Sequence, residues 1–225
     1  MAELVQSLMA ITGVVAVARA RREDETGPGA SAGQPPYLLY YRAELDTAKL
    51  RALELEADVI SRDLDSVEHQ LTEAGEGRFE IDAVDDWLAG RPTYALVGEL
   101  ATCEVLSGEL PRPEFPAALR EPAARRWREA AARALEVAES LASRGDVAGC
   151  GGQLAKAAVA MAQARIAEQG EWVLGEAGIV RRAGLGRTEA ILAATGDRPH
   201  ELERAVTRMR VALGMTAAEA REAGP

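Results

Sequence analysis

The sequence predicts an α+β fold in which a small sheet with flanking helices is followed by an antiparallel helical bundle. Short apolar or aromatic runs typical of strands occur only in the first part of the chain, at 13–17, 37–42 and 57–61. Long alanine-rich stretches with helical periodicity fill the remainder. We therefore expect an α/β domain over 1–90 and a helical bundle over 91–225.

The first part alternates predicted helices and strands. Helices are expected over 2–12 and 45–56, the second capped by Asp46, and a third opens at Asp63 and ends at Gly75. A further short strand is expected at 79–81. The segment 23–36 contains three glycines and three prolines, and this composition predicts a long flexible loop.

The second part is predicted to be helical throughout. One helix is expected over 94–106, and prolines at 111, 113 and 116 then break the chain. A long helix from Pro122 to Ser143 should turn Trp127, Leu135, Val137 and Leu141 toward the core. Further helices are expected over 147–169, 186–195 and 199–213, and Thr216 starts a final capped turn.

Composition limits the classes of function. The 225 residues carry 26 basic and 36 acidic side chains, a net charge of -10, which disfavours nucleic-acid backbones as partners. No apolar stretch reaches the roughly 18 residues typical of a membrane span, and no secretory signal is recognised. Cys103 and Cys150 are far apart and lack metal-ligand spacing, which favours two reduced thiols in a cytoplasmic protein.

Several short motifs resemble the kanamycin-type (aminoglycoside-type) nucleotidyltransferases of the DNA polymerase beta-like superfamily. In the second half these motifs are Gly98–Ala101, Arg144–Cys150, Leu154–Ala157 and Trp172–Gly178. In the first half they are Gly13–Val17, Leu39–Arg42 and Asp58–Asp65. The resemblance implies a truncated nucleotidyltransferase-like sheet followed by a substrate-binding-like helical domain.

The metal site of that family is not preserved in this sequence. The family uses a Gly-Ser turn for the phosphates and three carboxylates for two divalent cations. Here the turn is replaced by Arg19-Ala20-Arg21-Arg22, and the Asp-x-Asp motif falls on Gln34-Pro35-Pro36. Asp58 matches the third carboxylate, but one carboxylate cannot hold two hard cations. We therefore expect a degenerate member with neither a bound metal nor another cofactor.

Candidate site residues follow from the same resemblance. Glu99 matches the general base of such enzymes, and Asp58 is the second candidate for acid–base catalysis. Candidate substrate-binding residues border the family's cleft: Tyr40, Tyr41, Tyr94, Lys156 and Trp172. Structural roles stay open for all of them. Glu99 could be an ordinary helix-surface residue, Lys156 a solvated side chain, and the tyrosines could serve packing alone.

Three functions remain open at the level of sequence. The first is an enzyme that reuses the small-molecule cleft for metal-free acid–base chemistry, such as cyclisation, isomerisation or dehydration of a biosynthetic intermediate. The second is a non-catalytic ligand-binding or regulatory partner protein. The third is a nucleotidyltransferase with a metal site rearranged around Asp58, Asp63 and Asp65. The expected partner is a small molecule, and the oligomeric state, a homodimer included, is left open.

Overall fold

A computed structural model describes residues 2–21, 35–53 and 57–215. The chain divides into two compact units, one comprising Met1–Glu80 and Pro92–Pro116, the other Ile81–Arg91 and Ala117–Pro225. The fold class is α+β, as predicted. Most of the loop expected at 23–36, residues 54–56 of the second helix, and the final turn expected at Thr216 lie outside the described residues.

The first unit is built on a four-stranded mixed sheet with the order β3-β2-β1-β6. Its elements are α1 (Ala2–Met9), β1 (Val14–Arg19), β2 (Tyr37–Tyr41), α2 (Thr47–Ala52), β3 (Val59–Asp63), α3 (Leu64–Gly75), α4 (Ala95–Thr102) and β6 (Glu104–Gly108). Strand β1 pairs antiparallel with β2 and with β6, whereas β2 and β3 are parallel. As expected, the Asp46 carboxylate caps α2 by accepting a hydrogen bond from the Lys49 amide at 2.9 Å.

Helices cover both faces of this sheet. On one face, Leu38 and Tyr40 of β2 pack with Val67 of α3 and Leu100 of α4. On the other, Leu39 packs among residues of α1 and among Leu45, Leu50 and Leu53 around α2. Because successive strand residues point to opposite faces, β2 is buried on both sides and consists of a continuous run of aromatic and aliphatic residues.

The helix predicted over 94–106 is wrong in its second half. Helix α4 ends at Thr102, and residues Glu104–Gly108 form the edge strand β6 beside β1. Gly108 ends this strand at φ +82°, where a Cβ atom would lie 2.8 Å from the Ala16 Cα atom. Both α4 and β6 consequently belong to the first unit rather than to a helical domain beginning at 91.

The second unit is predominantly helical. Its helices are α5 (Ala117–Ser143), α6 (Val147–Gln169), α7 (Ile179–Arg182), α8 (Arg187–Ala193) and α9 (Pro199–Leu213). Two short strands, β4 (Ile81–Asp82) and β5 (Arg91–Pro92), form a separate two-stranded sheet. The predicted spans of α6, α8 and α9 are close to those observed, and α5 begins five residues before the expected start at Pro122.

Helices α5 and α6 form an antiparallel pair because only three residues connect them. Gly145 takes φ +72° in this turn, and the Asp146 carboxylate caps α6 by accepting from the Gly149 amide at 2.9 Å. Trp127 and Leu135 are buried as predicted. The prediction is wrong for Val137, which is 46% exposed because the buried stripe of α5 follows its alanines.

One polar side chain lies in the core of the second unit without a partner. Gln163 of α6 is fully buried, and neither its amide oxygen nor its amide nitrogen has a hydrogen-bond partner among the described residues. A buried amide without partners destabilises the folded state.

Within the described residues, no helix combines the length and apolarity needed to cross a membrane.

Candidate functional site

The sheet register of the first unit brings Tyr40 and Arg62 together. Tyr40 of β2 is the register partner of Arg62 in the parallel strand β3, and Leu38 is the partner of Ile60. Tyr40 and Ile60 belong to the hydrophobic cluster beneath α3 and α4. Since strand residues alternate between faces, Arg62 lies on the same face as Ile60. A cationic side chain is thus placed at the end of an otherwise apolar sheet face.

Arg62 and Glu99 form a two-point ion pair on this face. Arg62 donates from Nε to Glu99 Oε1 at 2.5 Å and from Nη2 to Oε2 at 2.9 Å. The two side chains are 20% and 21% exposed, so the pair is largely desolvated but still reachable from solvent. Burial acts to lower the pKa of Arg62, but the hydrogen bonds and charge of Glu99 outweigh it and raise that pKa. Arg62 is a permanent cation here.

The Tyr40 hydroxyl lies fully buried behind this ion pair. The Cys103 sulfur, a weak acceptor, lies beside it, and no other polar group among the described residues partners it. Burial raises the pKa of Tyr40 far above its ordinary value, and the nearby Cys103 and Glu99 raise it further. The hydroxyl therefore keeps its proton and can serve as a hydrogen-bond donor, not as a base.

Cys103 completes the cluster from the end of α4. Its thiol donates to the Leu100 carbonyl oxygen at 3.4 Å, and burial raises its pKa, so it stays protonated. Arg112 donates to the carbonyl oxygens of Ala101, at 3.2 Å, and of Cys103. These are acceptors that the end of a helix leaves without intrahelical donors. Arg112 thereby fixes the position of the α4 end that carries Glu99 and Cys103.

The other predicted residues of the first unit lie elsewhere on it. Asp58 is exposed before the first residue of β3, and four residues separate it from Arg62, roughly 13 Å along a strand. Tyr41 is half-buried at the end of β2, pairing with Asp63 in the register. Tyr94 is buried, with its ring 5.1 Å from that of Phe79 and 6.0 Å from that of Phe115. The structure therefore does not bring Asp58 and Glu99 together, and it places Tyr94 in an aromatic core.

Lys156 and Trp172 belong to the second unit, where the charge of Lys156 acts on Glu176. Glu176 accepts hydrogen bonds from the backbone amides of Leu88 and Ala89, the latter at 2.9 Å, and so attaches the segment after β4 to the loop between α6 and α7. Burial, followed by the charge of Asp86, raises the pKa of Glu176, although the two amides and Lys156 oppose this. Trp172 is half-buried, and its carbonyl oxygen accepts from Arg182 at 3.0 Å.

Asp63 and Asp65, two of the carboxylates considered for a rearranged metal site, make other contacts. Asp63 caps α3, accepting from the Asp65 amide at 3.2 Å and from the Ser66 hydroxyl at 2.6 Å. Asp65 pairs with Arg42. Over the part of the chain that the structure describes, no three His, Cys, Asp or Glu side chains lie close enough together to hold a metal ion.

Sequence reasoning missed Arg62 and Cys103 as members of the site. The alternation Asp58-Val59-Ile60-Ser61-Arg62 contains a signal, because Arg62 points to the same sheet face as the half-buried Ile60. Nothing in the sequence indicated that Glu99 would be its partner, since 37 residues separate them. Cys103 is four residues after Glu99, but the helix predicted over 94–106 continues beyond it and gives no sign of the turn that buries the thiol.

Comparison of the chain with protein-family models, curated proteins and solved structures finds no match. The resemblance to nucleotidyltransferases therefore rests on the short sequence motifs alone.

Proposed function

We propose that the first unit carries a small-molecule site at the Arg62–Glu99 ion pair, and that this site performs proton transfer without a metal ion. The reaction class is cyclisation, isomerisation or dehydration of a biosynthetic intermediate. One observation supports the proposal above the others. A reachable carboxylate is held in a fixed orientation by a permanent cation, on a sheet face that otherwise excludes water.

Each side chain has a distinct role in this proposal. Glu99 takes a proton from the substrate and returns it, while Arg62 holds the Glu99 carboxylate in place until the substrate binds. Tyr40 is inaccessible to solvent, so we assign its hydroxyl to Glu99 and not to the substrate. Asp58 and Tyr94 are left out, because the first lies at the other end of β3 and the second in the aromatic core.

The proposal is tested by replacing Glu99 with the isosteric amide. The wild-type chain and Glu99→Gln are each incubated with a fractionated metabolite extract containing EDTA, and products are identified by mass and retention time. We expect a dehydrated or isomeric product with the wild type and none with Glu99→Gln. Glu68→Gln is the matched control, because Glu68 forms a similar two-point pair with the exposed Arg42. Equal turnover by Glu99→Gln would remove Glu99 from the mechanism.

A non-catalytic role in ligand binding or regulation is the second candidate. It is favoured by the same two hydrogen bonds, because they occupy both oxygens of Glu99. A metabolite or protein retained stoichiometrically by the wild-type chain, with no product formed from the extract, would support this candidate over the enzymatic one.

A further inference from the structure

The Arg62 guanidinium group binds Glu99 through a fork of two N–H donors, the arrangement that arginine uses for carboxylates in general. Two parallel N–H···O bonds, from Nε and Nη2, use the geometry in which arginine recognises planar anions. The third nitrogen makes only a 3.5 Å contact with the Ser61 carbonyl oxygen. An incoming carboxylate could take the place of Glu99 on the fork without loss of a hydrogen bond to Arg62.

Tyr40 supplies the second, independent observation. Its hydroxyl is fully buried and unpartnered among the described residues, yet it lies close enough to Glu99 to interact with its charge. Its other polar neighbour is the Cys103 thiol, which donates to the Leu100 carbonyl oxygen and can accept from Tyr40 only weakly. The Tyr40 donor therefore lacks a strong acceptor, while Arg62 holds both oxygens of the Glu99 carboxylate whose charge acts on Tyr40.

We propose that Arg62 binds the carboxylate of a small organic acid, which displaces Glu99, and that the released Glu99 then accepts a hydrogen bond from Tyr40. The proposal deepens the proposed function by naming the substrate class, and it rests on that function for its catalytic meaning. In the bound state Arg62 again makes two hydrogen bonds, now to the ligand carboxylate, and the Tyr40 hydroxyl gains the Glu99 carboxylate as an acceptor. It also converts Glu99 from the partner of a cation into a carboxylate available for proton transfer.

The charge of the chain restricts the ligand further. A net charge of -10 repels polyanions, so the gain must come from one planar anionic group that matches the fork. A monocarboxylate meets this condition, whereas a nucleoside triphosphate brings several further negative charges that the acidic chain repels.

The test uses the full 225-residue chain with benzoate as the probe and benzamide as its neutral counterpart. Binding is measured by calorimetry and by the ligand-induced shift in melting temperature, which also serves for a destabilised variant. We expect benzoate but not benzamide to bind the wild type. Glu99→Gln should bind benzoate about tenfold more tightly or better, because the internal competitor for Arg62 is gone. Arg62→Gln should not bind benzoate.

Tyr40 gives the decisive comparison. Tyr40→Phe should weaken benzoate binding in the wild-type background and have no effect in the Glu99→Gln background, because Tyr40 acts through Glu99. Glu68→Gln should bind as the wild type does. Equal affinity of Glu99→Gln and wild type, or equal binding of benzamide, would overturn the inference. Benzoate binding as described together with unimpaired turnover by Glu99→Gln would leave this inference standing and refute the proposed function alone.

Discussion

At the scale of single residues, Tyr40 combines a cost to folding with a proposed role in function. A buried hydroxyl beside a weak sulfur acceptor loses its hydrogen bonds to water and gains no strong one in the protein. The aromatic ring is well packed, since it lies in the cluster with Leu38, Leu64 and Leu100. The cost therefore belongs to the oxygen atom alone, and a phenylalanine would fill the same space without it.

We predict that Tyr40→Phe raises the free energy of unfolding by about 1 kcal/mol, because it removes an unsatisfied polar group and leaves the packing intact. Denaturant unfolding followed by circular dichroism measures the change. Tyr41→Phe is the control, since Tyr41 is half-buried at the end of the same strand, and its effect should stay within about 0.5 kcal/mol. A loss of stability in Tyr40→Phe would show that the hydroxyl has a partner in solution.

Glu176 provides a prediction about pH in the second unit. Its pKa is raised above the ordinary value of 4.5, mainly by burial, so the folded chain binds this proton more tightly than the unfolded chain. Protonation of Glu176 therefore contributes its full stabilisation below pH 4.5, and this contribution is lost as the pH rises through the raised pKa. Glu176→Gln cannot titrate, so its stability relative to the wild type should increase over the same interval.

The measurement is the free energy of unfolding of both proteins at a series of pH values. Glu201→Gln serves as a control, because its stability relative to the wild type should change with pH in the opposite direction. The backbone amides of Asp197 and Arg198 hold the pKa of Glu201 below its ordinary value, so its stabilising effect is lost as the pH falls. A constant difference between Glu176→Gln and wild type at all pH values would contradict the prediction for Glu176.

At the scale of elements, the sequence predicts those that local signals define. Asp46 and Asp146 cap α2 and α6 as expected, because an N-cap carboxylate acts within three residues of its own position. The sequence does not predict strand β6, because its formation depends on β1, which lies some 85 residues earlier in the chain. Its five residues contain Glu and Leu, which favour helices, and only Gly108 marked its end.

The candidate site shows the same limit. The resemblance points to Glu99 and Tyr40, but the contact that defines their chemistry is the pairing of Glu99 with Arg62 across 37 residues. The alternation of strand residues would have placed Arg62 on the buried face of β3, but only the packing of α4 on that face supplies its partner. Tertiary contacts of this kind are set by the fold as a whole and leave no local pattern in the sequence.

The fold requires glycine at position 108 but only tolerates it at position 152. At Gly108, φ +82° and a Cβ position 2.8 Å from the Ala16 Cα atom both oppose a side chain. Gly152 lies within α6, where an added Cβ atom would meet nothing within 4 Å beyond its own helix backbone. We predict that Gly108→Ala destabilises by more than about 1 kcal/mol, and that Gly152→Ala stabilises by about 0.5–1 kcal/mol. Denaturant unfolding measures both changes in stability. Equal changes would show that the two positions do not differ in their need for glycine.

At the scale of the whole molecule, each unit has its own hydrophobic core. Leu38 and Leu100 are fully buried in the first unit, and Leu154 and Trp127 are fully buried in the second. The aromatic residues are also divided. All four tyrosines belong to the first unit and all three tryptophans to the second. Tryptophan fluorescence therefore reports on the helical unit, while the proposed site must be followed by another method.

Hydrogen exchange can follow both cores in one experiment. We predict that Leu38→Ala, which should cost about 2–5 kcal/mol, accelerates amide exchange in β1 and β2 and leaves α5 and α6 protected. Leu154→Ala should do the reverse, since its cavity opens in the core of the helical unit. Mass spectrometry of peptides from the four elements measures both effects. Uniform acceleration in all four by either substitution would show that the two cores unfold as one cooperative body, and changes at the Arg62–Glu99 pair would then have to be interpreted against the stability of the entire chain.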